Sequence, residues 1–419
     1  MARIHRRAFL GLTAGAVAGV TTSALGVGPA RAETKLTGIS HRQPSLEFYA
    51  KAIDEALPDV SVDMTLIPSD KAIEMQTINL SQGSDAYDIM WVNDSQLKKY
   101  AKNDWLEPLD DLWAKYVDEF NLTDYPESVL DSYRFNGKLY AVPSSVNGMF
   151  YFYRKDLFDA AGLTPPETHE DWLAIAKTLN KPPVSGAIVN LKRIDAALNE
   201  AHYYINAFGD GWFDANWKPV FNSPKGVEAI GRLKDMTEYA QRGMTSSAND
   251  EAMIAFQQGL GATGLQWFSR AAAMDDPEKS KVVGKMEWAA PPGGHQRIVV
   301  DGFAISKFSK NDKDTTFRVL ATAMSEKNQR EIASASIPSR ASVLNDTSLH
   351  EKYRHYPAAL AALNVGQAYP PLPEFVECGD FITLRIQQAI AGEMSVKDAL
   401  DTAAKEVEDL LASRGYYKG

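Results

Sequence analysis

Few residues in this chain have the type and spacing for covalent or metal chemistry. Seven histidines (His5, His41, His169, His202, His295, His350 and His355) are scattered along 419 residues without an HExxH pair. The single cysteine, Cys378, can build neither a cysteine-based zinc cluster nor an internal disulfide. No GxSxG elbow or Walker loop is present. Gly259-Leu260-Gly261-Ala262-Thr263-Gly264 matches GxGxxG, but it follows a helical stretch rather than a strand, so it reads as a helix-end turn. The acid pair Asp110-Asp111 points two ways on one helix and reads as a solvated face rather than a glycosidase pair. No catalytic residue, metal site or cofactor is expected.

Side chains that make directed hydrogen bonds remain, and the elements around them dictate where they go. Leu36 to Ile39 is a short strand followed by the polar loop Ser40-His41-Arg42-Gln43-Pro44. Leu46, Tyr49, Ala50, Ile53 and Leu57 then fall on one helical face. Val60, Val62, Met64 and Leu66 alternate with polar residues, as a half-buried strand requires, and a helix over about 69–82 follows. Asp88 to Val92 is a third strand, ending in Asn93-Asp94. This order predicts a largely parallel sheet covered by helices. Ligands of such sheets sit beyond the carboxyl ends of the strands, where His41, Arg42, Gln43, Asn93 and Asp94 all fall.

A second α/β segment begins after Tyr140-Ala141-Val142-Pro143. It contains a strand at Phe150–Tyr153, helices over about 171–179, 195–208, 224–242 and 252–258, a strand over 297–306 and a helix over 312–324. A last helix is capped by Ser395, with Val396, Leu400, Ala403, Val407 and Leu411 on one stripe. The length suits two domains. Without a long Gly/Ser linker, the chain is expected to cross between them several times.

With 45% hydrophobic and 23% charged residues the chain has globular composition. The first 32 residues read as an export address. Arg3, Arg6 and Arg7 form a basic head, a mildly apolar stretch runs over 8–25, and Ala30-Arg31-Ala32 offers a cleavage site. Arg6-Arg7-Ala8-Phe9-Leu10 resembles the twin-arginine signal, which implies a periplasmic product. Residues 1–32 carry four arginines and no acids, so the remainder has 40 basic against 54 acidic residues, a net charge of −14. That balance disfavours nucleic acid and anionic lipid as partners.

Several segments resemble the family 1 extracellular solute-binding proteins of ABC importers, the group that includes the maltose-binding protein. They are Tyr87–Asp94, Asn103–Leu109, Phe135–Pro143 leading into Tyr151–Phe158, Ala255–Gly259 with Trp267, Asp301–Asn311, Ile337–Val343 and Ala389–Ser395. Their order holds over nearly the whole chain beyond residue 32. The resemblance implies an α/β, two-lobed periplasmic-binding-protein fold of type II, each lobe a mostly parallel sheet flanked by helices. It implies interlobe crossings near 143–148, 297–303 and 334–342. The lobes are expected at 33–144 plus 301–338 and at 145–300 plus 339–419, closing on ligand by hinge motion.

Hydroxyls donate and accept, so carboxylates, amides and arginine bind them in fixed directions, and the less polar face of a sugar ring lies well on an aromatic plate. By matching positions, Asp94 falls on the family's sugar-binding aspartate and Trp267 on a stacking tryptophan. Asn147 stands where the maltose-binding protein carries a ligand-binding glutamate, a departure that leaves the ligand open. Trp212, on the loop Gly209–Asp214, is a candidate second plate. Arg340 is a candidate for vicinal hydroxyls or an anionic group, and Gly302 for a backbone contact. His41, Arg42 and Gln43 lie in a loop that contacts ligand in the family, while Glu377 and Asp380 are weaker candidates. The expected partners are a small sugar-like ligand and the membrane permease of an ABC importer, the receptor itself being a monomer. The alternatives are a binder of a polyol or anionic sugar conjugate with the same fold, and a periplasmic carbohydrate-active enzyme.

Overall fold

The computed structural model describes residues 34–193 and 195–417. The export address read from residues 1–32 lies outside them.

Eleven strands occur among the described residues: β1 (Thr34–His41), β2 (Val60–Ile67), β3 (Ile89–Asn93), β4 (Arg134–Phe135), β5 (Lys138–Leu139), β6 (Val142–Arg154), β7 (Ser185–Ile188), β8 (Gly261–Trp267), β9 (Met286–Ala289), β10 (Ile298–Ile305) and β11 (Ile337–Pro338). β4 and β5 form a small hairpin, and the other nine join in the order β2-β1-β3-β10-β6-β8-β7, with β9 and β11 also on β6. β1 runs parallel to β2 and β3, and β7 runs parallel to β8.

β10 and β6 instead run antiparallel to their neighbours, which makes the sheet mixed rather than purely parallel. The reason is geometric. A chain that leaves one lobe along a strand and returns along the strand beside it must run the opposite way. The thirteen residues of β6 pair with β10 over Val142–Gly148 and with β8 over Met149–Tyr153. β11 pairs with Val146 and Ser145 at the same level.

Core membership changes at these crossings. One buried cluster gathers Leu36, Ile39, Met90, Leu97, Tyr133, Val142, Phe303 and Leu320. The others gather Met149, Trp172, Leu198, Leu265, Phe375 and Leu400, and Phe150, Phe256, Trp288, Ile337 and Tyr356. The chain therefore changes core between Val142 and Met149, again near Val299, and again before Ile337. Two α/β lobes result.

Helices α1 (Pro44–Asp54), α2 (Ser69–Ser81) and α3 (Asp94–Lys102) cover the first lobe. Pro44 starts α1, where its missing N–H is no loss. Leu46, Tyr49, Ala50 and Ile53 face inward, as their spacing requires. The GxGxxG segment is not a nucleotide loop. Gly259 adopts φ +75° just past the helix Asn249–Gln257, a left-handed conformation that suits glycine. Gly261 and Gly264 lie inside β8, where a Cβ would meet Ile188 at 2.3 Å and 2.6 Å respectively. Close packing of β7 explains them. Among the described residues no helix is long and apolar enough to cross a membrane.

Candidate functional site

The crossing strands bring the loops at the ends of β1 and β3 against the second lobe. A buried ion pair joins them there. Arg297, just before β10, donates from Nη2 to Asp94 Oδ1 at 2.7 Å, and the two side chains are only 3% and 4% exposed. The guanidinium lies 3.8 Å from the centroid of the Tyr369 ring and also donates to the Ile298 carbonyl. Burial opposes the charge on Arg297, but Asp94 and Tyr369 outweigh it and hold the group protonated.

Asp94 is the first residue of α3. Its second oxygen, Oδ2, is buried without a hydrogen-bond partner, as is Gln43 Oε1 in the loop after β1. An unpaired buried acceptor costs about 1–3 kcal/mol, so these two atoms are the site's clearest demand for a guest. Asp94 lines an interlobe cavity of about 30 Å³ with Ser132, Val146, Ile298 and Ala368. A larger cavity of about 310 Å³ lies at the other end of the strands, against Thr34, Asp59 and Val60, far from these groups.

The second lobe answers with its own polar set. Asp195 opens the helix Asp195–Phe208 and keeps a solvent-exposed surface. Asn199 donates to its Oδ1 at 3.1 Å and Asn249 to its Oδ2 at 3.3 Å. The Tyr369 hydroxyl donates to Asn199 Oδ1 at 2.6 Å, so Arg297, Tyr369, Asn199 and Asp195 form one connected unit. The protein packed around Asp195 raises its carboxyl above the usual range, against the Asn199 hydrogen bond and the Arg297 charge. Behind Asp94, Asp301 accepts from Trp91 Nε1 at 2.8 Å. Burial pushes its carboxyl up to about 7. A register shift in β10 falls at Asp301 and Gly302, the kind of irregularity that re-aims a side chain beside a site.

His41 ends β1 with its ring centroid 4.8 Å from that of Trp91. Burial, and then the charge of Arg270 in the facing lobe, lower it to about 4, so the imidazole is neutral at pH 7. Trp267 ends β8, 9% exposed, and among the described residues its ring meets no other aromatic ring. Asn147, in β6, holds Ser269 through its amide at 3.3 Å.

Five of the expected contact residues make other contacts in the structure. Asn93 is the N-cap of α3, accepting from Ser95 N and Gln96 N at 3.0 Å each. Arg42 is exposed and donates to the Leu66 carbonyl at the end of β2. Trp212 is 3% exposed, packed by Phe221 and Phe375, with its indole N–H on His202, so no face is left for a sugar. A Cβ at Gly302 would meet Tyr133 Cε1 at 2.6 Å, so close packing rather than a ligand contact requires that glycine. Arg340 is buried and spends its guanidinium on the carbonyls of Met324, Asn121 and Phe120 and on the Tyr125 ring. The weaker candidates Glu377 and Asp380 pair at the surface with Arg414 and Arg193.

Arg297, Tyr369 and Asp195 went unnoticed in the sequence. Arg297 was the legible one, a lone basic residue opening the apolar run Ile298-Val299-Val300.

A polar cleft between two α/β lobes, bounded by strands that run through both, defines a two-lobed receptor of the periplasmic-binding type. Residues 40–330 match the profile of the bacterial extracellular solute-binding proteins, and the chain belongs to that family. The mannitol-binding protein of Pseudomonas aeruginosa is 25% identical over 404 residues, covering 89% of this chain and 91% of that protein. A solute-binding protein of an ABC transporter from Agrobacterium radiobacter K84, solved in complex with ribitol, superposes with a TM-score of 0.83 at 25% identity, over 90% of this chain and 98% of that one. Maltose-bound MalE3 of T. maritima shares the fold, with a TM-score of 0.82 at 22% identity over 90% of this chain and 100% of that one.

Proposed function

We propose that this protein is the periplasmic receptor of an ABC importer and captures an uncharged polyhydroxy compound, a polyol or a sugar, between its lobes. The observation that carries the reading is the buried Asp94–Arg297 pair, which joins the lobes while leaving Asp94 Oδ2 unpartnered beside the interlobe cavity. A carboxylate oxygen of this kind accepts a hydroxyl hydrogen strongly. The Pseudomonas relative's name and the Agrobacterium complex supply the ligand class, mannitol and ribitol respectively.

Ligand sites usually enclose roughly 300–1,000 Å³. A gap of about 30 Å³ therefore has to widen to admit a guest. The widening is assigned to a hinge at β6, β10 and β11, between lobes 33–144 plus 301–338 and 145–300 plus 339–419. Export through the twin-arginine route, a monomeric receptor and delivery to a permease complete the reading. Asp301 resembles a general acid in its raised pKa, but it is sealed behind Trp91 and has no reach to a substrate bond, which favours a binder over an enzyme.

The test is calorimetry of the protein lacking residues 1–32 with ribitol, D-mannitol, D-sorbitol, D-glucose and maltose, with the recovered compound checked by NMR. Binding of a polyol or sugar that comes back intact is the expected result. No binding across the panel, or a cleaved product, overturns the reading.

A further inference from the structure

We infer that Asp195 is a second ligand-binding carboxylate, set opposite Asp94 across Arg297, and that the pair restricts the cleft to neutral polyols by excluding their carboxylate counterparts. The inference rests on the polyol reading and names what sets its specificity.

The geometry is a charge alternation across the cleft. Asp94 comes from the first lobe and Asp195 from the second. Arg297 pairs with Asp94 at 2.7 Å and acts electrostatically on Asp195. Two observations separate Asp195 from an ordinary surface acid. Both of its oxygens are aimed, by Asn199 at 3.1 Å and Asn249 at 3.3 Å, and each keeps a lone pair for a further donor. It is also tied through Asn199 to the Tyr369 ring that carries Arg297, so the second lobe holds the acid and the arginine as one piece. Across from it, the buried Asp94 Oδ2 lacks a donor.

An acyclic polyol presents hydroxyl hydrogens along its length and suits acceptors at two ends with guanidinium N–H donors between them. An aldonate carries the same hydroxyls with a carboxylate at one end. Arg297 is already neutralised by Asp94. Arg270, the other guanidinium acting on Asp195, is paired with Asp250 at 2.8 Å. Burial, then the Arg297 charge, disfavours the charged form of Lys98 near Asp94, against the Asp94 carboxylate. The aldonate carboxylate would therefore meet Asp94 or Asp195 with every nearby cation already engaged or disfavoured. Like charges in a closed cleft are costly, and exclusion of this kind is how a site separates two otherwise similar guests.

The test compares D-mannitol with D-mannonate by calorimetry on the wild-type protein and on Asp195→Asn and Asn249→Ala, with thermal melts confirming that each variant is folded. The wild type is expected to prefer mannitol by at least a hundredfold. Asp195→Asn, which keeps the shape and loses the charge, is expected to weaken mannitol binding about tenfold and to narrow the preference at least tenfold. Asn249→Ala, which only loosens the carboxylate, is expected to weaken mannitol binding while keeping the preference. Three results would overturn the inference while leaving the receptor reading intact: equal wild-type binding of both compounds, an Asp195→Asn protein whose preference is unchanged, or an Asn249→Ala protein that has lost it. A wild-type protein that binds neither compound nor any other polyol or sugar overturns both.

Discussion

Replacing Asp94 with asparagine separates its two roles, brace between the lobes and acceptor for the ligand. Breaking a buried ion pair by removing one partner costs about 3–5 kcal/mol, because the other charge is left unpaired. Arg297 keeps the Tyr369 ring at 3.8 Å and the nearby charge of Asp195, which places this substitution at the lower end, about 3 kcal/mol. For a domain of roughly 150–250 residues, each kcal/mol moves Tm by about 2–4 °C, so the variant should melt about 6–12 °C lower. Ligand binding should suffer separately. A hydrogen bond to a charged acceptor contributes about 1.5–3 kcal/mol, and tenfold in Kd is about 1.4 kcal/mol, so Kd for mannitol should rise about 10- to 150-fold. Thermal melts without ligand read the first effect and calorimetry reads the second. A melting temperature that falls while Kd stays within threefold would show that Asp94 braces the lobes and does not touch the guest.

Trp267→Ala should weaken binding at least tenfold, about 1.4 kcal/mol by calorimetry, if the ring, 9% exposed at the end of β8 and without an aromatic neighbour among the described residues, stacks on the guest. Arg340→Ala should destabilise the protein by about 3–5 kcal/mol in denaturant melts while Kd stays within threefold, since the guanidinium caps three carbonyls away from the cleft. Glu200 is buried in the second lobe, and burial raises its carboxyl from 4.5 to about 8. The folded state therefore keeps a proton that the unfolded chain releases, and stability falls as pH rises from about 4.5 to about 8. Glu200→Gln should remove that part of the slope in calorimetric scans taken across this range. His202 works the other way. Burial, then the Arg297 charge, lowers it to about 3, so the unfolded chain takes up a proton first and stability falls as pH drops below about 6.5. His202→Gln should flatten that acid limb.

Local pattern placed the individual elements well. The spacing of Leu46, Tyr49, Ala50 and Ile53 put α1 where it lies, and Ser395 caps the final helix through Asp398 N. These are short-range facts, because side-chain periodicity and capping depend on a few neighbouring residues. Candidate contacts fared unevenly. Asp94 sits at a strand end and at the cleft, but its neighbour Asn93 spends its side chain on the α3 cap. Trp212 lies on a loop, as its glycines indicate, yet folds back into the second lobe's core, which no local signal records.

The sequence alone pointed to an acidic α/β protein of two lobes, with polar loops at its strand ends. Only the tertiary structure decided which polar groups meet. Arg297 stands 203 positions from Asp94, and Asp195 is linked to Arg297 through Asn199 and Tyr369 from other stretches of chain. It also decided that the Arg340 guanidinium is engaged away from the cleft, since Arg340 is buried among carbonyls that local pattern cannot place beside it. The physical reason is that a buried charge is stable only where partners from distant segments converge, and that convergence is set by how the strands cross between the lobes.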